Sequence, residues 1–496
     1  MQIARSNAGS RDPGIAPTRV PVTSAAMIAL LLALAACNES PPAAPPKPAE
    51  PPKPSYPSFD YSADAKNLNV ILISLDAMRF DHTGLGGGTL TPNLDAFQKE
   101  SIAFTHATSA APWTVPSHMS IFTGRWPSRH GIVNKLHPGP DGKELVFMKL
   151  ADDIPTFPGV LHSNGFEDVA FTGGAGVSAK FGYNRGAFTT YLDDKTFAGL
   201  DYSGPPAEQW LRDHVANPAA GHFFMFLHGY DVHGQHPVGM TPAEIDPNYK
   251  GKLDGSIEEQ AKLREEGLAA IVNPGDPPKG NVSPEDTAFL LKVYDMKVKE
   301  ADGRLGRFLD TVKATGLYDK SIIVVLADHG EEFMEHGYLD HGATLCDHQL
   351  HVPIFIRFPK GEGARVIDDP VRTLDVFPTV FASLGIKPQE GIDGQSLLPT
   401  LHGERQDLPI HAESDYRLFV HLRASRVAGK KLILDLEDGQ RSLYDTNVDP
   451  QEANDLSATD ARTTYELEQD VRGWMGSMNT DPNSYLGVKE EHIKLF

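Results

Sequence analysis

The stretch NVILISLDAMRFDHTG, residues 69–84, opens on a nearly continuous apolar run that ends at Asp76. A run with so little alternation is typical of a strand that is covered on both faces of a sheet. Four later runs have the same character: Val169–Gly174, His222–His233, Ile322–Gly330 and Val352–Phe358. Helical patterns lie between these runs, and the longest is Thr287–Gly316. The alternation predicts an α/β fold with a mostly parallel sheet sandwiched by helices.

The pattern changes beyond a main body that we expect at residues 66–406. Phe419–Thr446 consists of short strand-like runs separated by Gly and Asp-Gly turns, which favours a small antiparallel sheet. We therefore predict a C-terminal α+β subdomain over residues 407–496. Within the main body, residues 235–285 are polar and predict an insertion or lid.

The net charge and the number of cysteines exclude some classes of protein. The chain has 496 residues and a net charge of −21, which argues against a nucleic-acid binder because such proteins carry a basic field. An anionic substrate remains compatible with this charge, since a bound metal ion can invert the local field. The two cysteines, Cys37 and Cys346, cannot build a disulfide framework.

The N-terminus has the order of a secretory leader over residues 1–36: arginines, an apolar run, then small residues. Ala25–Cys37 is too short to span a bilayer. Its end, LAAC, resembles the lipobox of bacterial lipoproteins, which implies cleavage before Cys37 and lipidation of that residue; an ordinary leader with a chance cysteine is the alternative. Residues 37–65 then form a Pro-rich tether. We expect a lipid-anchored protein of the bacterial cell envelope, on its periplasmic or extracellular face.

Three of the predicted strands finish in side chains that can bind a metal. Because ligands of open α/β sheets bind beyond the carboxyl ends of the strands, these side chains are expected to meet at one edge. A single Asp in such a place is more often a turn former or helix cap, but three strands with this feature favour a site. Carboxylate and imidazole suit a divalent ion such as zinc, manganese, calcium or magnesium. The residues concerned are Asp76, His228, Asp231, His233, Asp328 and His329.

Two further segments add candidates. Pro116 suits the first turn of a helix, so Thr114 is expected beside a helix N-terminus, where an anion is favoured and a hydroxyl can be both metal ligand and nucleophile. The alternative is that Thr114 or Ser117 is a plain helix cap. The segment 327–353 is rich in histidine, and within it His341 is a candidate to donate a proton or contact a charged oxygen.

The chain resembles the sulfatase family of the alkaline-phosphatase superfamily. The resemblance rests on stretches that run in family order from about residue 67 to 456, chiefly TVPSHMSIFTGRWPSRHG and DHGEEFMEHG, supported by FMFLHGYDVH, VRTLDVFPTVFASLGI and SLYDTNVDPQEANDL. It implies an alkaline-phosphatase-like sheet, a catalytic domain at residues 66–406, and an anionic ester as substrate.

The resemblance also implies roles for individual residues. It places Asp76, Asp328 and His329 on the metal, Thr114 at the nucleophile position, and His233 and His341 on the substrate anion or the leaving group. Residue His118 lies where the sulfatase signature has arginine. We accordingly expect catalytic roles for Thr114, His233 and His341. Substrate contacts are expected from His118, His228 and Asp231.

Three departures from the family pattern bear on the mechanism. Threonine at position 114 cannot give the formylglycine aldehyde, Ala77 stands where many sulfatases have a second metal-binding Asp, and TGGAG (residues 172–176) replaces the Lys-x-His that grips sulfate. A threonine nucleophile is more like the superfamily's phospho-enzymes. Since paired metals suit in-line displacement, a further hypothesis is a second ion held by Asp231, His233 and His341.

Three functions remain open at this point. The first is a metal-dependent, formylglycine-independent hydrolase of sulfate or phosphate esters. The second is a transferase that moves a phospho-group onto an envelope lipid or glycan. The third is a non-catalytic binding protein that retains the sulfatase fold.

Overall fold

A computed structural model describes residues 56–138, 144–185, 188–234, 239–272, 282–418 and 420–478. The predicted leader and residues 37–55 of the predicted tether lie outside these ranges. Within the ranges, no helix is both long and apolar enough to cross a membrane.

The described residues form strands of two to seven residues. In chain order they are β1 Asn69–Leu75, β2 Ile102–Phe104, β3 Ala107–Thr108, β4 Leu136–Pro138, β5 Leu145–Phe147, β6 Glu167–Phe171, β7 Thr190–Leu192, β8 Phe223–Gly229, β9 Ser321–Leu326, β10 Glu332–Phe333, β11 Leu339–Asp340, β12 Ile354–Arg357, β13 Arg365–Ile367, β14 Val371–Arg372, β15 Ile410–Ser414, β16 Leu422–Val427, β17 Lys430–Asp435 and β18 Arg441–Asp445.

The helices include one of 31 residues, α8, and several single turns. In chain order they are α1 Pro92–Gln98, α2 Thr114–Thr123, α3 Pro127–His130, α4 Phe157–Ser163, α5 Leu200–Ala216, α6 Pro242–Ile245, α7 Ile257–Val272, α8 Pro284–Ala314, α9 Asp347–Leu350, α10 Val376–Ser383, α11 Leu398–Leu401 and α12 Ala461–Ser477.

An eight-stranded sheet in the order β13-β2-β12-β9-β1-β8-β6-β7 organises the body. Strand β1 lies near its centre, parallel to β8 and β9, and all seven of its residues are buried. Helices α1, α5 and α8 pack together as one layer, and α2, α4 and α10 pack together as another. The α/β fold expected from the apolar runs is confirmed, because a strand that is covered on both faces has no polar side to show.

Strand β12 is the exception to the parallel arrangement, since it runs antiparallel to both β9 and β2. The physical reason lies in the connection. Residues 327–353 leave β9 at its carboxyl end and remain at that edge, so that the next strand has to run back in the opposite direction. This histidine-rich connection therefore lies at the carboxyl edge of the parallel strands, where the metal-binding side chains were expected.

The C-terminal region contains the predicted antiparallel sheet, in the order β15-β16-β17-β18, with helix α12 packed against it. Its apolar residues share a buried cluster with Trp126 of the main body, whose ring lies 5.5 Å from that of Trp474. The subdomain and the main body are therefore joined by a common core rather than by a linker.

The boundary between tether and body differs from the prediction. Residues 56–65, assigned to the tether, pack on the body: Phe59 is fully buried with its ring 4.8 Å from that of Phe358, and the Tyr61 N–H donates to the carbonyl oxygen of Ser383. The body thus begins at Tyr56, because a large apolar side chain in this Pro-rich segment is buried by packing on the sheet edge.

We expect Phe59→Ala to lower the free energy of unfolding by about 3–5 kcal/mol, because it removes a fully buried aromatic ring and leaves a cavity. Urea denaturation measures this change. Tyr465→Ala is the control, since Tyr465 is 63% exposed and its loss is expected to cost about 0.5 kcal/mol or less. Equal effects of the two substitutions would show that residues 56–65 do not belong to the body.

Candidate active site

The carboxyl ends of three central strands bring the predicted metal-binding residues together. Strand β1 pairs in register with β8 and β9, so that Ser74 lies opposite both His228 and Leu326. Asp76 follows β1, and Asp328 and His329 follow β9 at the same level of the sheet. The chain turns sharply after Asp76, where Ala77 has a φ of 62° and donates its N–H to Asp328 Oδ1 at 3.3 Å.

These three residues form a buried cluster that fits a divalent cation. Ligand atoms of Asp76, Asp328 and His329 lie within 4.8 Å of one another, and all three side chains are fully buried. His329 Nε2 is 3.6 Å from Asp76 Oδ1 and 3.4 Å from Asp328 Oδ2, and neither carboxylate oxygen accepts a hydrogen bond. Buried carboxylate oxygens that lack donors are costly unless a cation compensates them, so the donor set matches the predicted metal site.

The electrostatics of the two carboxylates support the same reading. Burial and the neighbouring carboxylate of Asp328 raise the pKa of Asp76 above its usual value. Burial also opposes ionisation of Asp328, but the imidazoles of His329 and His118 outweigh it and hold the pKa of Asp328 below its usual range. A positive charge between the two carboxylates would let both ionise.

Thr114 lies beside this cluster as the first residue of α2, with Trp113 in the extended conformation before it. Its Oγ1 is 3.3 Å from His329 Nε2. Since the first N–H groups of a ten-residue helix have no partners within the helix, this end of α2 favours an anion at the Thr114 hydroxyl. The alternative that Thr114 is a helix cap does not fit, because Trp113 occupies the N-cap position and no side-chain capping hydrogen bond is present among the described residues.

Two of the predicted substrate contacts lie behind the cluster instead. His118 Nδ1 is 3.1 Å from Asp328 Oδ2 and donates to the Thr114 carbonyl oxygen, while His228 Nε2 is 3.1 Å from Asp76 Oδ2. Both imidazoles are fully buried and neither lines the cavity described below. Their position does not fit the predicted substrate contact: each imidazole lies against one of the two carboxylates, the arrangement that partners of metal ligands commonly have.

The position of Asp231 also differs from the predicted substrate contact. Its Oδ1 accepts from Arg304 Nη1 at 2.6 Å and its Oδ2 accepts from the Leu200 N–H at 2.8 Å. Both oxygens are thus committed to α8 and to the start of α5, and the residue does not line the cavity. Neither substrate contact nor a second metal ion shared with His233 and His341 fits this arrangement.

A cavity of about 190 Å³ opens in front of Thr114. All three predicted catalytic residues line it, and the ring of His341 lies 4.8 Å from that of His233 and 4.3 Å from that of His329. The remaining lining residues are Trp113, Asn134, Lys135, Gly176, Phe197, Tyr230, Arg264, Tyr416 and Arg417.

The two cavity histidines have opposite charge preferences. His341 Nδ1 lies 2.5 Å from Asp340 Oδ1 and 3.1 Å from Glu331 Oε1. Although burial opposes protonation, these carboxylates raise the pKa of His341 well above its usual value. Burial and the positive charge of His341 lower the pKa of His233 well below its usual value. A cationic and a neutral imidazole side by side are suited to donating a proton and to accepting or sharing one.

The TGGAG segment has a structural explanation. A Cβ at Gly176 would lie 2.9 Å from Thr114 Cβ and 3.0 Å from Tyr230 Oη, and the Gly176 N–H donates to that hydroxyl at 2.9 Å. Glycine therefore allows this loop to pack directly against the nucleophile position. The loop supplies no cation, so the cations of the cavity come from elsewhere.

Sequence reasoning missed the residues that form the rest of the wall. Lys135 follows α3, Arg264 lies on α7 in the predicted insertion, and Arg417 lies between β15 and β16. No motif marks these positions, because they belong to three segments that meet only in the folded chain. The polar composition of residues 235–285 predicted an insertion over the body, and this was the one sequence feature that could have pointed to Arg264.

Comparisons with known proteins agree with this geometry. The sulfatase family model matches residues 68–386, and the model described as "N-sulphoglucosamine sulphohydrolase, C-terminal" matches residues 334–475. An ulvan-active sulfatase of Formosa agariphila is 23% identical over 419 residues, which cover 82% of this chain and 80% of the relative. An arylsulfatase of Clostridium perfringens is 22% identical over 453 residues, covering 78% and 90% respectively.

Solved structures share the fold. A 2-O GAG sulfatase superposes with a TM-score of 0.66 at 19% identity, covering 84% of this chain and 94% of the other. The phosphonate monoester hydrolase of Agrobacterium radiobacter superposes with a TM-score of 0.63 at 18% identity, covering 86% and 98%. The expected alkaline-phosphatase-like sheet with a small C-terminal antiparallel sheet is confirmed.

We expect the protein to bind one divalent ion per chain and Asp328→Asn to abolish this binding, because the substitution removes a carboxylate from the buried cluster. Elemental analysis after loading with zinc or manganese and desalting measures the content. Asp231→Asn is the matched control, a buried carboxylate at the same sheet edge that is held by Arg304. Two ions per chain, or loss of an ion in Asp231→Asn, would contradict this assignment.

Proposed function

Because the chain belongs to the sulfatase family, we propose that it is a metal-dependent hydrolase of sulfate or phosphate esters with the hydroxyl of Thr114 as nucleophile. The observation that carries this proposal is the position of Thr114 Oγ1, 3.3 Å from His329 Nε2 at the edge of the buried carboxylate cluster. Asp76, Asp328, His329 and Thr114 would hold the metal. When bound, a divalent cation there supplies positive charge that favours the alkoxide form of the threonine and offsets the charge of the ester.

The chemistry divides into two displacements. Thr114 Oγ, after losing its proton to solvent, forms a bond to the sulfur or phosphorus atom, the bond to the leaving alcohol oxygen breaks, and that oxygen takes a proton from His341. Water then gives a proton to His341 as its oxygen bonds to the same central atom, which breaks the bond to Thr114, restores the threonine alkoxide and releases inorganic sulfate or phosphate. The proposal is independent of formylglycine, since oxidation of threonine, a secondary alcohol, gives a ketone and not the aldehyde.

Hydrolysis and the choice of central atom are tested with four aryl esters that share one leaving group: sulfate, phosphate monoester, phosphate diester and phosphonate. Each is assayed with zinc, manganese, calcium and magnesium in turn. We expect one class to turn over and Thr114→Ala to lower kcat by about 1,000-fold or more, because the nucleophile is lost.

The control for this experiment is Thr123→Ala, on the same helix. Thr123 Oγ1 donates to the Met119 carbonyl oxygen at 2.8 Å, away from the cluster, so that its loss is expected to change kcat by less than about twofold. No turnover with any metal would contradict the hydrolase and favour a transferase or a binding protein. Equal activity of Thr114→Ala and the unaltered chain would exclude Thr114 as nucleophile.

The role of His341 as proton donor predicts a dependence on the leaving group. We expect His341→Gln to lower kcat by about 100-fold or more for an alkyl ester, whose alkoxide needs a proton, and by much less for a nitrophenyl ester. The comparison of the two rates is the measurement. His348→Gln is the control, because His348 contacts Gln451 outside the cavity. An equal loss for both esters would assign His341 to anion binding instead.

We further propose that a lipid on Cys37 holds the enzyme in the bacterial cell envelope, on the periplasmic or extracellular face. The leader-like residues 1–36 and the LAAC sequence support this proposal. Residues 37–55 would then separate the body from the membrane surface.

A further inference from the structure

We infer that the mouth of the cavity binds a second anionic group, carried by the alcohol half of the ester. The observation is a convergence of three cationic side chains, Lys135, Arg264 and Arg417, on the wall that also contains Thr114. This inference rests on the proposed function, because it names the substrate class of the same site. The substrate is then an ester of an acidic alcohol, one with a carboxylate or a further sulfate or phosphate.

The three cations come from separate parts of the chain. Lys135 lies in the loop between α3 and β4, Arg264 lies on the insertion helix α7, and Arg417 lies in the turn between β15 and β16. The chain has a net charge of −21, so its overall field is acidic. Three cationic side chains that meet at one wall therefore form a local site that favours an anion.

Carboxylates hold the two arginines in place. Arg417 Nη1 lies 3.0 Å from Glu265 Oε2, and Arg264 Nη2 lies 3.2 Å from Glu265 Oε1. Arg264 Nη1 lies 3.2 Å from Asp340 Oδ2, and Asp340 is itself paired with His341. Glu265 is thus shared between the two arginines, and Asp340 is shared between Arg264 and His341, which also contacts Glu331. Three carboxylates balance these three cations and leave none for Lys135.

Lys135 is the one of the three cations that no described carboxylate pairs with. Among the described residues, no ion pair joins its ammonium group to a carboxylate, and the charged neighbours that act on it are three cations, Arg417, Arg264 and Lys180, opposed by the single carboxylate of Asp340. An ammonium placed beside guanidinium groups destabilises the folded chain slightly unless an anion joins them. The side chain is exposed at the cavity wall, so that a ligand can reach it.

An aromatic pair lies on the same wall as this cationic group. The ring of Tyr416 lies 5.3 Å from that of Trp113, the residue before Thr114, and the Arg417 guanidinium lies 5.3 Å from the Tyr416 ring centroid. The scissile group at Thr114 already has the carboxylate-bound cation site, the α2 N-terminus and His341. Lys135 and the arginines are therefore available to a second anion, which we assign to the alcohol half of the ester.

Two esters test the inference. They share the scissile group and the pKa of the leaving phenol, and one carries an added ring carboxylate. We expect the unaltered chain to favour the carboxylated ester in kcat/KM, mainly through KM, and Lys135→Gln to lower the ratio of the two kcat/KM values about tenfold, the loss typical of one charge-assisted contact. Lys135→Arg is expected to retain most of the ratio, and 0.5 M salt to reduce it by screening.

Lys180→Gln is the matched control. Lys180 is an exposed lysine close enough to act electrostatically on Lys135, but its ammonium lies over the Phe147 ring at 4.2 Å and it does not line the cavity. The ratio is expected to be unchanged in this variant. A ratio near one in the unaltered chain, or an equal loss in Lys180→Gln and Lys135→Gln, would overturn the inference while turnover itself upholds the proposed hydrolase.

A binding measurement distinguishes failure of the proposed hydrolase from failure of the proposed anion subsite. Calorimetry with the Thr114→Ala chain measures the affinity for both intact esters, and we expect tighter binding of the carboxylated ester that is lost when Lys135→Gln is added. If the unaltered chain turns over neither ester but this preference is present, the hydrolase is wrong and the anion subsite stands. If Thr114→Ala shows no preference, the subsite is wrong.

Discussion

Two carboxylates lie buried side by side at the centre of this molecule, and the arrangement around them follows from that constraint. Asp76 and Asp328 end neighbouring parallel strands, carry oxygens that accept no hydrogen bond, and are shielded completely from water. Burial of two like charges is unfavourable by several kcal/mol or more without compensation. A divalent cation would compensate both charges, and the imidazoles of His118 and His228 lie against the two carboxylates, as partners of metal ligands commonly do.

The same constraint explains the division of labour among the histidines. His329 lies beside the two carboxylates as a candidate metal ligand, whereas His341 is paired with Asp340 and Glu331, which raise its pKa well above the usual value. Burial, and next to it the nearby imidazole of His341, lower the pKa of His233 well below its usual value. Burial raises the strength of each of these interactions, so that neighbouring groups of one chemical type are driven to different charge states.

Membership of the sulfatase family fits the sheet and the buried carboxylate cluster, and the proposed threonine nucleophile would set this chain apart from formylglycine enzymes. An insertion helix and a turn of the C-terminal sheet contribute Arg264 and Arg417 to the cavity wall. In the proposed enzyme, the sheet edge would supply the reaction chemistry and these peripheral segments would supply the contacts that select the substrate.

The sequence by itself determined the sheet, the strands that end in Asp76 and Asp328, and the place of Thr114, because apolar runs and strand-end polar residues are local patterns with a direct physical meaning. Tertiary structure alone decided which polar residues face the substrate. Asp231 follows a strand just as Asp76 does, and His228 lies near the end of that strand, yet Asp231 pairs with Arg304 and His228 contacts Asp76. Lys135 and Arg417, 282 positions apart in the numbering, share one wall. Side-chain direction and long-range proximity depend on packing partners from distant segments, and no local pattern encodes them.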